Sequence, residues 1–98
     1  MKFKKAKYRI ADTREGCREV TGYAVLTNYP VRFAVREIID GMLWCADHWD
    51  TGFRFAYGRN RADAAAQAIA EIQMRGIDAF AKAAQAAKST GGLNAVDA

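Results

Sequence analysis

The sequence predicts an α+β fold: a four- or five-stranded antiparallel sheet with a C-terminal helix or helices packed on one face. Three observations carry this. Residues 2–57 follow a period of two and are rich in β-branched and aromatic side chains. Turn signals ("TREG", "NYP", "DG", "DTG") cut that stretch at short intervals. From Asn60 onward, alanines recur at helical spacing. Strands first and helices last place the helices on one face of an antiparallel sheet.

The first strand is "KFKKAKYRIAD". Phe3, Lys5, Lys7 and Arg9 share one face, and Lys4, Ala6, Tyr8 and Ile10 the other. Lysines at this density protect a sheet edge. "TREGC" breaks the strand, and "EVTGYAVLT" supplies the second. After "NYP" comes "VRFAVREII", with Arg32, Ala34, Arg36 and Ile38 facing away from Val31, Phe33, Val35 and Glu37. Asp40-Gly41 then reads as a two-residue hairpin link into "MLWCADHW". "DTG" turns again into "FRFAYG", whose Phe53, Phe55 and Tyr57 alternate onto one face.

The helix "NRADAAAQAIAEIQMRG" is punctuated at both ends. Asn60 is an N-cap, Asp63 lies near the positive helix end, and Gly76 stops the helix after Arg75. Ala62, Ala65, Ile69 and Ile72, with Ala66 and Ala68 beside them, form the expected buried stripe. A second helix follows, with Asp78 as cap and Ile77, Phe80 and Ala84 as anchors. Residues 1–88 therefore read as a single domain and 89–98 as a flexible tail of small residues.

About half the residues are hydrophobic and 27% are charged, a globular composition. No apolar run approaches bilayer length, and no apolar block follows the basic N-terminus, so the expectation is a cytoplasmic chain with no membrane partner. Net charge is +4, unevenly spread. Residues 1–18 hold seven Lys or Arg against two acids; residues 19–50 hold two against five; residues 51–61 add Arg54, Arg59 and Arg61. The pattern is a basic flank beside an acidic middle.

"CADHWDTG" gathers a thiol, two carboxylates and the chain's one histidine. Strand alternation splits it: Cys45, Asp47 and Trp49 share one face, while Trp44, His48 and Asp50 lean to the other. Metal binding needs three or four converging ligands, and a Cys–His pair needs contact. The stretch therefore reads as a strand closing in a turn, with Asp50 accepting turn amides and Gly52 at positive φ. No catalytic, metal or cofactor-binding residue is expected. The candidate partner-binding residues are basic: Lys4, Lys5, Lys7 and Arg9 on the first strand, and Arg54, Arg59 and Arg61 around the helix start. Cations interleaved with Phe3 and Tyr8 suit nucleic acid.

Residues 44–76, a Trp-bearing strand, a Thr-Gly turn, a short strand ending in Gly and an Ala-rich helix, resemble a pattern in small phage and prophage proteins. Size and strand-then-helix plan are also similar to those of many anti-CRISPR proteins. That resemblance implies a non-enzymatic protein that occludes a protein or ribonucleoprotein complex of host defence. The same order resembles the three-stranded DNA-binding domains of AP2 factors and integrase arm-binding modules, which implies DNA reading by one exposed sheet face, here with Arg32, Arg36 and Arg54. The residues themselves give the alternative function, nucleic-acid binding by the basic strand and the Arg54–Arg61 segment. Acids at Glu37, Asp47 and Asp50 among the central strands favour the protein-binding reading.

Overall fold

The computed structural model describes residues 2–12 and 16–89. In chain order these form β1 (Lys2–Asp12), β2 (Gly16–Leu26), β3 (Phe33–Ile39), β4 (Leu43–His48), β5 (Arg54–Gly58), α1 (Arg61–Arg75) and α2 (Ile77–Ser89). The strands make one antiparallel sheet in the order β1-β2-β3-β4-β5, and the helices lie against it, so the α+β class holds with five strands. The expected break at Thr13–Glu15 lies outside the described residues. So does the expected tail, apart from Ser89, which ends α2.

β1 and β2 pair over their full length, Lys2 with Leu26 through Asp12 with Gly16. β2 pairs with β3 only at Tyr23–Val35 and Ala24–Ala34. The hairpin is thus anchored at one end and released at the other. Its distal half folds back over the sheet. The Ala11 N–H donates to the Gly52 carbonyl at 3.0 Å, joining the end of β1 to the β4–β5 turn across two intervening strands. Gly22 marks the crossing. A Cβ there would fall on the Val35 carbonyl and the Arg36 and Tyr8 side chains, so no larger residue lets β2 approach β3 so closely.

This folding produces two cores. The larger lies between the sheet and the helices and holds Phe33, Val35, Ala46, Ala56, Ala64, Ala65, Ala68, Ile72 and Phe80. The smaller lies under the hairpin on the opposite face and holds Tyr8, Ile10, Ala34 and Trp49. Adjacent residues Ala34 and Val35 feed different cores, as strand alternation requires.

α1 begins in a reciprocal cap. The Asn60 side chain accepts from the Asp63 N–H at 2.8 Å, and the Asp63 carboxylate accepts from the Arg59 N–H at 2.8 Å. That bond to the Arg59 amide holds the Asp63 carboxyl below its usual range. Gly58 brings this first turn onto β5, since a Cβ there would overlap the Ala64 backbone. The buried stripe is Ala64, Ala65, Ala68 and Ile72. This corrects the expected register: Ala62 and Ala66 are exposed, and Ala64 takes their place because the helix starts on top of Gly58. Gly76, at φ 90°, ends α1 with its N–H on the Ile72 carbonyl, and its own carbonyl accepts from Ala79 at 3.2 Å. Gly76 therefore also opens α2, in place of the expected Asp78 cap. Phe80 anchors α2 as expected, whereas Ile77 is exposed.

Two further expectations are corrected. The β3–β4 link has three residues, because Ile39 pairs with Leu43. The Met42 N–H donates to the Ile39 carbonyl at 2.9 Å, and only Gly41 takes positive φ, at 69°. A two-residue link of the mirror-image type needs positive φ at Asp40 as well. In β5 the register shifts, with Ala46 opposite Ala56 but Asp47 opposite Arg54. The extra residue is Phe55, which turns into the larger core against Phe33 and Phe80, while Arg54 and Tyr57 come together on the other face. Phe53, Phe55 and Tyr57 therefore do not share a face.

Close packing of alanines makes the α1 contact intolerant of volume. Ala68→Leu and Gly58→Ala are each expected to cost about 1–3 kcal/mol by overpacking. Gln67→Leu, on the exposed side, should stay within about 0.5 kcal/mol. Urea denaturation of the three variants checks this; similar losses at all three positions would put the helix in another rotation.

Candidate functional site

The "CADHWDTG" segment divides as strand geometry demands. Cys45 and Asp47 face the hairpin side. The Asp47 carboxylate, 1% exposed, accepts from the Tyr8 hydroxyl at 2.8 Å and from Arg36 Nε at 2.8 Å, and Cys45 Sγ lies 3.8 Å away. Burial and the neighbouring Asp47 charge push the Cys45 thiol up to about 11, and the same two causes raise the Tyr8 phenol. Neither is ionised at neutral pH.

His48 faces the helices. Its ring stands edge-on to Phe80 at 5.4 Å, and Nδ1 lies 2.8 Å from Thr51 Oγ1. Cys45 and His48 are thus on opposite sides of the sheet and cannot act as a pair. Among the described residues no group of three or more His, Cys, Asp and Glu converges. The turn after β4 is closed by Thr51, whose hydroxyl accepts from the Phe53 N–H at 3.3 Å, a role the sequence reading gave to Asp50. Gly52 takes positive φ, 73°, as expected.

The expected basic residues are only partly brought together. Lys5, Lys7 and Arg9 share the outward face of β1, and Lys4 points to the other side. Arg9 stands opposite Glu19 in the β1–β2 register. Arg54 is remote, its guanidinium over the Tyr57 ring at 5.7 Å on edge strand β5. Arg61 does meet the hairpin. Its guanidinium sits 4.6 Å from the Phe3 ring centre and 4.8 Å from that of Tyr23, and Tyr23 in turn packs on Trp44 at 6.1 Å. Lys5 is the cross-strand partner of Tyr23, so it flanks the same cluster. The site is a row of half-buried rings, Phe3, Tyr23 and Trp44, with Arg61 on the first two and Lys5 beside Tyr23; Arg59 is exposed just before α1, its N–H on the Asp63 carboxylate. Sequence reasoning found the cations but missed Tyr23 and Trp44, which reach the row only through strand pairing.

The acidic middle of the sequence is only partly at the surface: Glu19 is exposed on β2, but two of the other acids are buried. Asp47 is neutralised by Arg36, and Asp50 is 8% exposed. Glu37 and Asp40 remain exposed at the β3–β4 end, where Glu37 accepts from the Gly41 N–H at 3.1 Å.

Comparison with protein-family models, characterised proteins and solved structures gave no match to this chain. Among the described residues no helix is long and apolar enough to cross a membrane.

Burial lowers the affinity of His48 for protons, against a weaker opposing pull from Asp50. A histidine with a lowered folded value stabilises the fold above its ordinary value of about 6.5, and that contribution is lost as pH falls through the folded value. Stability should therefore drop as pH falls below about 6.5, by at most about 1.4 kcal/mol per pH unit from this group. His48→Gln, which cannot titrate, should flatten that segment of a stability–pH curve; an unchanged slope would place its origin elsewhere.

Proposed function

We propose that this protein is a non-enzymatic binder of nucleic acid, acting through the cation–aromatic row where β1 and β2 meet the start of α1. The observation that supports it is the clustering of Arg61 and Lys5 around the Phe3 and Tyr23 rings, with the competing carboxylates Asp47 and Asp50 buried elsewhere. Cations supply affinity for phosphate, and the half-buried Phe3, Tyr23 and Trp44 rings give apolar surface beside them. The acids that favoured a protein partner in the linear sequence lose that weight once two of them are inside.

A second reading keeps the protein-binding inhibitor of the phage anti-CRISPR kind. Its support is edge strand β5, which carries no lysine and where Tyr57 is 52% exposed, with Phe53 just before it 64% exposed. Lysines guard the opposite edge, β1.

Mobility-shift titration with a random oligonucleotide separates the two. Binding of a single strand through two to four phosphate contacts should weaken roughly 7- to 50-fold between about 50 and 200 mM salt. Lys5→Glu with Lys7→Glu should remove it, and Lys82→Glu on α2 should not. No shift at low salt would retire the nucleic-acid reading in favour of a protein partner.

A further inference from the structure

A groove of about 240 Å³ opens between the β4–β5 turn and α2, away from the cation–aromatic row. Its walls include His48, Phe53, Phe55, Arg75 and Phe80. The rings make it apolar, and none of its lining residues is acidic. Arg54 also borders it, but that guanidinium is turned to Tyr57. Arg75 is held by Glu71 through Nε alone, at 2.8 Å, which leaves its two amino groups to bind.

His48 is the unusual member. It is 4% exposed, and its Nδ1 is engaged by Thr51. The Thr51 hydroxyl accepts from the Phe53 N–H, and in one of the two neutral His48 tautomers it donates its own proton to Nδ1. In that tautomer the ring carries its proton on Nε2. Nε2–H has no hydrogen-bond partner among the described residues, on a side chain that lines the groove.

We propose that this groove binds a small aromatic carboxylate, its ring among the phenylalanines and its carboxylate between the His48 Nε2–H and the Arg75 amino groups. Size agrees: a cavity of roughly 150 Å³ accepts benzene, and the remaining volume suits one carboxylate. Charge agrees as well, because an uncharged ring leaves both donors unanswered.

The test is a titration of the full chain with sodium benzoate, followed by amide and imidazole nitrogen–proton spectra, with benzyl alcohol as the uncharged control. Saturable shifts are expected at Phe80, Ala83 and the His48 side chain, with Kd on the order of 1 mM. Benzyl alcohol should bind about tenfold more weakly or worse, and Arg75→Gln should weaken benzoate by about the same factor. Ala83→Trp should fill the groove and abolish the shifts without changing the circular dichroism spectrum. The proposal is overturned if benzoate leaves His48 and Phe80 unmoved, if benzyl alcohol binds equally well, or if a folded Ala83→Trp variant still responds.

Discussion

Where β1 crosses β3 and β4, the Asp47 carboxylate takes a guanidinium from Arg36 and a hydroxyl from Tyr8, and all three residues are buried. Removing two charges from solvent costs several kcal/mol each, and attraction offsets that only when the hydrogen bonding is complete. Here it is complete enough to hold three strands that are not all neighbours. Arg36 and Asp47 belong to the paired strands β3 and β4, and Tyr8 comes from β1, two strands away in the sheet. The hairpin can reach Asp47 only by folding over the sheet. The second core follows from that position: Tyr8 stacks beside Trp49 at 5.5 Å, and Ile10 and Ala34 close around them.

The other face rests on small residues. Gly58 and the alanines of α1 let the helix backbone sit close to the sheet, and Phe80 of α2 fills the space beside Phe55 and His48. The two faces meet at the anchored end of the hairpin, where Phe3 and Tyr23 pack on the helix-side core and receive Arg61 from α1. The candidate interface is therefore also the clamp between helix and hairpin. Its rings are held in place by the core beneath them.

Much of this was legible in sequence because alternation and punctuation are local. The faces of Cys45, Asp47 and His48, the Asn60 cap and the Gly76 stop all follow from period and turn chemistry within a few residues. What was not legible depends on which strands meet. Asp47 reads as a surface acid until Arg36 and Tyr8 are brought to it. Ala64 takes the buried position of Ala62 because Gly58 sets the helix rotation. Phe55 leaves the face of Tyr57 because β5 carries one residue more than β4 at that point. The aromatic row was half visible: Phe3 and Lys5 lie in one basic strand, but Tyr23, Trp44 and Arg61 are contributed by three other elements.

If the Asp47 junction organises the fold, its partners must depend on one another. Urea denaturation of Asp47→Leu alone and combined with Arg36→Met measures that dependence most directly. Leaving Arg36 buried without its carboxylate should cost about 3–5 kcal/mol, and removing the guanidinium as well should recover most of the loss. A loss below about 1 kcal/mol for Asp47→Leu, or losses that simply add in the double variant, would contradict the account.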